Sequence, residues 1–308
     1  MADSRTNNAD TCSRQKHLLG MLRLARPTHW IKNIFVLVPL PFAWAGAQRT
    51  DTGFHFQPWI FFSGLFGFCL INSAIYTLND LFDKETDRIH PKKCKRPIAA
   101  GVVSPRLGAV QMLVLAVAGI ALVIATGSAG AVKLSIAYML INACYSLGAK
   151  DFAVVDVFLL SSGFTLRVLL GVALVGSTPS SWLLLCTSAL ALFVGFSKRR
   201  GDLVNGADKS HRPSLRGYTL PFLNYAMVIC AGVALSAYSL YSIVANVFVH
   251  GREMASLPFA AFGILNYLRL VETENAGDSP VEIAYNSRSS QICAVCWLIA
   301  VSWSLGIW

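Results

Sequence analysis

The feature that most constrains this chain is the recurrence of apolar stretches of roughly 17 to 25 residues, parted by loops that hold nearly all the charge. A helix of that length matches a hydrocarbon core about 30 Å thick, and lipid offers no partner to an exposed backbone N–H or C=O. We read nine such spans, at about 33–48, 58–78, 107–127, 130–147, 154–175, 181–197, 219–247, 254–271 and 290–307. Pro39 and Pro41 interrupt the first. Spans three and four are parted only by Gly127-Ser128-Ala129-Gly130, a tight helix hairpin. Charged residues make up 14% of the chain, against roughly 25% in soluble proteins, and 55% of residues are hydrophobic. A soluble domain and a disordered chain are both excluded. The expectation is an all-α, multi-pass membrane protein with nine transmembrane helices. A cytoplasmic N-terminal segment, 1–32, with an interfacial stretch but no secretory apolar region, precedes a single transmembrane domain, 33–308.

The net charge of +10 would raise nucleic acid as a partner in a soluble protein. Here its distribution gives a simpler account, and no nucleic-acid partner is expected. Segments 1–32, 79–106, 148–153, 198–218 and 269–289 hold 22 of the 26 Lys and Arg. The alternate connections hold only Arg49, Lys133 and Arg252, and Arg167 lies within span five. Basic residues collect on the cytoplasmic side. The N-terminus and the working face are therefore expected in the cytoplasm and the C-terminus outside, in the cytoplasmic (inner) membrane. Cys293 and Cys296 form a C-x-x-C inside an apolar run with no second pair or nearby His, which reads as helix packing.

The sharpest chemical signal lies where span two leaves the membrane. Asp80, Asp83 and Asp87 fall at i, i+3 and i+7, on one face of a helix, with Asn79 one turn from Asp83. Three clustered carboxylates repel one another unless a cation sits among them. An all-oxygen set suits Mg²⁺ bridging to phosphate oxygens, with Asn79, Asp80, Asp83 and Asp87 as ligands and the three aspartates as the catalytic group. The polar stripe runs back into the span through Asn72 and Tyr76. Next come Lys92, Lys93, Lys95 and Arg96; Lys95 and Arg96, fixed between Pro91 and Pro97, are the better candidates for ligand contact. Lys32 and Asn33, at the start of span one, are placed to touch a phosphate, and Trp30 reads as a membrane anchor.

A second polar group follows spans four to six. Tyr138, Asn142 and Tyr145 recur at helical spacing ahead of Lys150. Asp156 and Arg167 share a face of span five, too far apart to pair directly. Span six ends in Lys198-Arg199-Arg200-Gly201-Asp202, with Asp208, Arg212, Ser214, Arg216 and Tyr218 beyond. Spans two and six both run straight into charged loops, a faint internal echo of two half-sites over one cavity. One is acidic and the other basic, as if for a metal-bound diphosphate and a naked phosphate.

These residues together resemble the UbiA superfamily of intramembrane prenyltransferases, through N-D-x-x-D-x-x-x-D at 79–87 and K-R-P-I-A-A-G-x-V at 95–103. Within it the chain is most similar to the polyprenyl-phosphate phosphoribosyltransferase branch. The matches are R-P-x-x-W-x-K-N at 26–33, Y-x-x-G-x-K at 145–150, S-S-x-x-x-x-R ending at Arg167, the Lys198-Arg199 pair and R-x-S-L-x-x-Y-T at 212–219. Ordinary members carry a second aspartate-rich motif after span six, where this chain reads K-R-R-G-D-L-V-N-G-A-D. The chain also departs from its branch at 280–288, which lacks an acidic residue near Ser287.

The resemblance implies a nine-helix bundle around a cytoplasm-facing cavity, Mg²⁺ as cofactor, and assembly as a homo-oligomer, by the family's pattern a trimer. It implies transfer of 5-phosphoribose from 5-phosphoribosyl 1-diphosphate to a polyprenyl phosphate, releasing pyrophosphate for cell-envelope sugar donors. Tyr76, Tyr145, Lys150, Asp156, Arg167, Lys198 and Arg199 would join Lys32, Asn33, Lys95 and Arg96 in binding substrate. Two other readings stay open: a UbiA-type prenyltransferase acting on an aromatic acceptor, and, from another class, an anionic lipid transporter.

Overall fold

A helix that crosses lipid must find partners for the free backbone groups at its ends, and this sequence supplies them locally. The computed structural model describes residues 17–50, 54–206, 213–273 and 287–308, and among them all regular structure is helical. The α-helices are α1 (17–25), α2 (Pro39–Thr50), α3 (Pro58–Phe82), α4 (Lys84–Ile89), α5 (Pro105–Ala125), α6 (Ala129–Ser146), α7 (Val155–Val175), α8 (Ser181–Val204), α9 (Leu220–Val244), α10 (Leu257–Thr273) and α11 (Arg288–Leu305). Short 3-10 helices lie at Pro27–Val36, Lys93–Lys95, Ala149–Asp151 and Pro213–Gly217. Ser104, Ser128, Ser180, Thr219 and Ser287 each accept a hydrogen bond from the backbone N–H three residues on, opening α5, α6, α8, α9 and α11. Each such cap contributes about 1 kcal/mol. Gly176 and Gly306 close α7 and α11 in the left-handed conformation that an L side chain resists.

Six stretches are long and apolar enough to cross a membrane: His17–Thr50, Pro58–Phe82, Pro105–Ala125, Val155–Val175, Ser181–Val204 and Leu220–Val244. The other three predicted spans are helical but shorter or more polar. α10 has 17 residues, α6 carries Lys133 and Asn142, and α11 opens on Arg288-Ser289-Ser290-Gln291. The first predicted span differs most. Residues 33–48 are not one helix: the 3-10 helix Pro27–Val36 gives way to a turn at 37–38, and α2 restarts at Pro39. Proline has no N–H to continue a helical ladder, and its fixed φ suits the first turn of a new helix. Asp208, Arg212 and the stretch 280–286 lie outside the described residues.

The chain divides into two compact units, one of residues up to 34 with 58–148, the other of 35–57 with 149–308. In the first, α3 and α5 meet backbone to backbone. A Cβ on Gly67 would lie 2.8 Å from the Gly119 carbonyl oxygen, and one on Gly119 would lie 2.6 Å from that of Gly67. Leu24 of α1, Ile98 and Val103 form a small buried core beside Leu81 and Leu107, seating the loop that carries Arg96.

In the second unit, the main core joins Val157 of α7, Phe193 and Phe196 of α8, Leu223 and Met227 of α9 and Leu270 of α10, with Leu215 and Tyr218. Gly195 lets α8 close on α7, since a Cβ there would lie 2.7 Å from Val157 Cγ1. At the far end of this unit Arg49 donates to the carbonyls of Phe248 and Leu305, satisfying a free acceptor at the C-terminus of α11.

Candidate functional site

In the first unit, the polar stripe of α3 is present as the spacing predicts. Asn72 accepts from the Tyr138 hydroxyl at 2.9 Å, and Asn79 accepts from Ser146 Oγ at 3.4 Å. The helix predicted across 79–87 is broken at Asp83, where α3 ends and α4 begins. The hydrogen-bond ladder nonetheless continues through the break. Asp83 N–H donates to Asn79 O at 2.9 Å, and Asp87 N–H donates to Asp83 O at 2.7 Å. The carboxylates therefore stay in register: Arg96 Nη1 reaches Asp80 Oδ1 at 3.1 Å and Asp87 Oδ2 at 2.6 Å, and Asn79 Nδ2 donates to Asp83 Oδ2 at 3.0 Å.

Asp80 is the deepest of the three, 1% exposed. Its Oδ1 also accepts from Arg26 Nη2 at 2.5 Å, while its buried Oδ2 has no hydrogen-bond partner. An unsatisfied buried oxygen of this kind costs about 1–3 kcal/mol or more when charged. An all-oxygen donor set with one oxygen unfilled fits a hard divalent cation. Among the described residues, however, no three carboxylate, His or Cys side chains converge as a ready-made metal site. Two arginines stand against these carboxylates instead. Arg26 holds a left-handed φ of +49°, uncommon for a residue with a side chain, and its guanidinium lies 5.3 Å from the Tyr76 ring centre. Tyr76 also meets the His29 ring edge-on at 5.0 Å.

The other predicted residues of this unit spread around the cluster. Lys32 and Lys95 are exposed, Tyr145 is half-buried, and Asn33 is buried with its amide on Cys69 Sγ at 3.1 Å. Trp30 is more than an anchor, since its indole N–H donates to Ser73 Oγ at 2.9 Å.

The second unit builds its cluster on Asp156, which is 0% exposed. Asp156 Oδ2 accepts from Arg199 Nε at 2.6 Å and Ser214 Oγ at 2.9 Å, and Oδ1 accepts from the Tyr218 hydroxyl at 2.6 Å. The Tyr218 oxygen in turn accepts from Val154 N–H at 2.6 Å. Burial, and then the hydrogen bond to Asp156, push the Tyr218 phenol above its ordinary range, so it stays protonated and donating. Val154 takes φ +69°, strained for a β-branched residue at a cost of about 1–3 kcal/mol. This bond and the tight approach of Gly217 to Ala153 hold it there. Arg199, 1% exposed, also reaches Asp202 at 3.2 Å.

Arg167 is buried as well, donates to Gly163 O at 2.7 Å and lies over the Phe164 ring. Lys198 is exposed and Lys150 half-buried. Arg200 turns away from Arg199, to Asn224, the Val271 carbonyl and Glu272.

Thus the structure joins Asp80, Asp87 and Arg96 in one cluster, and Asp156 and Arg199 in the other. Reading the sequence missed Arg26 as a partner of Asp80, and Ser214 and Tyr218 as partners of Asp156. Ser214 and Tyr218 are four residues apart, a spacing that puts both on one side of a helical turn. Arg26 stands in the sequence only as the first residue of R-P-x-x-W-x-K-N at 26–33, with nothing that ties it to Asp80.

Residues 38–285 match the UbiA prenyltransferase family. The chain is 32% identical to the decaprenyl-phosphate phosphoribosyltransferase of Corynebacterium glutamicum over 92% of this chain and 85% of that one. It is 30% identical to the protein of the same name from Mycolicibacterium smegmatis, over 91% and 90%. In fold it is similar to a UbiA homologue from Archaeoglobus fulgidus bound to DMAPP and Mg²⁺, with TM-score 0.67 and 16% identity over 92% of this chain and 99% of that one.

Proposed function

The chain belongs to the UbiA prenyltransferase family, and we propose that within it this member moves 5-phosphoribose from 5-phosphoribosyl 1-diphosphate to a polyprenyl phosphate. The ribose C1–oxygen bond to pyrophosphate breaks, and a bond from C1 to an oxygen of the lipid phosphate forms. The observation that carries this reading is the second cluster. Asp156, in the first turn of α7, and Asp202, near the end of α8, are both drawn onto Arg199. Both carboxylates thus already face a cation of the chain itself, and the sequence around Arg199, Lys198-Arg199-Arg200, is basic, which suits a phosphate with no metal. A prenyl diphosphate bound through two metals would call for two acidic sites.

In the first cluster, Asp80, Asp83 and Asp87 with Asn79 would hold Mg²⁺, which when bound neutralises charge on the departing pyrophosphate. Lys95 and Arg96, with Lys32, Asn33, Tyr76 and Tyr145, supply donors around that leaving group. Lys150, Arg167 and Lys198 would take the 5-phosphate and the lipid phosphate. Arg199 joins them and is oriented by Asp156. The lipid phosphate is already ionised at pH 7, so its attack needs no general base.

We read residues 33–308 as one transmembrane catalytic domain of nine spans, set in the inner membrane with 1–32 and the active site on the cytoplasmic face. Assembly as a homo-oligomer follows from the resemblance. The test uses purified protein in detergent with Mg²⁺, phosphoribosyl diphosphate and a polyprenyl phosphate, the lipids read by mass spectrometry. The expected product is a lipid heavier by one phosphoribosyl unit, lost on adding a chelator. Absence of that product, with prenylation of an aromatic acid from a prenyl diphosphate, would overturn the proposal.

A further inference from the structure

We infer that Arg26, assisted by Arg96, is a built-in counterion that occupies the metal carboxylates until a diphosphate arrives, so that metal and diphosphate bind as a coupled pair. The inference rests on the metal reading above and concerns the order in which that site fills.

Asp80 is nearly sealed from water, and a bare carboxylate there would be costly, so some cation must face it. Arg26 meets that need incompletely. A guanidinium facing a carboxylate commonly makes two parallel bonds. Here Arg26 and Arg96 both converge on Oδ1, at 2.5 and 3.1 Å, and the buried Oδ2 stays unfilled. The contact holds the charge without completing the pair.

The backbone of Arg26 is equally provisional. It is left-handed, just before Pro27, in the single-residue link between α1 and the 3-10 helix Pro27–Val36. The guanidinium also has somewhere else to rest, since the Tyr76 ring lies 5.3 Å away.

A divalent cation entering this cluster alone must displace or repel two guanidinium charges. One that enters with a diphosphate brings phosphate oxygens onto which both arginines can move, in bonds of the same charge-assisted kind. Each ligand therefore raises the affinity for the other, and by linkage the factor is the same in both directions.

The experiment titrates Mn²⁺ into the purified full chain in detergent, with and without inorganic pyrophosphate, and reads bound metal by electron paramagnetic resonance. For the unaltered chain, Mn²⁺ alone should bind weakly and pyrophosphate should tighten it about tenfold or more, within the span usual for coupled sites. Arg26→Ala should bind Mn²⁺ alone about tenfold more tightly and lose most of the coupling. Arg26→Lys, which keeps the charge but not the fork, should fall between.

A general loss of structure would weaken metal binding, so a gain in affinity marks release of a counterion. If Arg26→Ala elutes as aggregate, Arg96→Ala is read in the same way. Equal or weaker Mn²⁺ binding in the folded variant would overturn the inference and leave the metal reading standing. No Mn²⁺ binding by the unaltered chain, even with pyrophosphate, would remove the metal reading and the inference together.

Discussion

Tyr218 stands at the joint of the second cluster: its hydroxyl donates a hydrogen bond to Asp156 and accepts one from the Val154 N–H. Removing that oxygen strands the buried Asp156 acceptor and takes the partner from the part-buried Val154 N–H. The stranded carboxylate oxygen costs about 1–3 kcal/mol, and Val154 loses the bond that helps hold its positive-φ backbone. Tyr218→Phe should therefore lower the melting temperature in detergent by several degrees, while the ring still packs in the core beside Leu223. The pH dependence carries the same signature. Because burial and the bond to Asp156 raise the folded phenol above its unfolded value, the folded state keeps its proton where the unfolded state sheds it. That contribution is complete below the unfolded value of about 10 and fades as pH climbs past it. The stability gap between the unaltered chain and Tyr218→Phe should be flat from neutral pH to about 9 and narrow above about 10. A gap that stays constant to pH 11 would mean the phenol is not held as the geometry implies.

At the scale of elements, what reading the sequence could reach depended on whether a feature is written locally. The expected span five, 154–175, and α7, Val155–Val175, nearly coincide, because an apolar run bounded by a loop and a glycine declares both of its ends. Spans two and six end at 78 and 197 by apolar composition, whereas α3 and α8 continue to Phe82 and Val204. Apolar composition marks the edge of the membrane, whereas the helical ladder runs on past it through Asn79-Asp80 and Lys198-Arg199-Arg200. The candidate site followed the same rule. The register of Asp80, Asp83 and Asp87 was legible from spacing, but Arg26 lies 54 residues from Asp80, and no local periodicity announces that pair. Helix contacts are equally hidden until the chain is folded. α7 presses Gly171 against the Val36 carbonyl, at the end of the 3-10 helix, so closely that a Cβ there would overlap the carbonyl oxygen and crowd Pro39 Cδ. Gly171→Ala would be harmless or helpful on an isolated helix. Here it should destabilise by about 1–3 kcal/mol through overpacking against backbone that cannot swing aside. The check is a thermal melt in detergent beside Gly232→Ala, a substitution with nothing within 4 Å of the added carbon.

For the whole molecule, the organising quantity is where the charge sits along the chain. With 22 of 26 basic residues in the N-terminal segment and the even-numbered connections, the opposite orientation would carry nearly all of them across the membrane, against the bias that sets topology. Two exposed positions read that orientation without touching the candidate site: Glu85 on α4, 74% exposed, and His250 between α9 and α10, 105% exposed. Because both are open to solvent, a difference in their labelling reports the side of the membrane and not burial. In a cysteine-free background, a membrane-impermeant maleimide applied to intact cells should label His250→Cys. It should leave Glu85→Cys untouched until the cells are lysed. The reverse pattern would invert the topology and turn the carboxylate cluster away from the cytoplasm. Equal labelling of both in intact cells would place an even number of crossings between them, where the nine-span reading requires an odd number. Five of the nine spans, α5 to α9, lie between the two positions, so odd parity fails if α6 stops short of the far face, whereas α10 and α11, beyond His250, leave it unchanged.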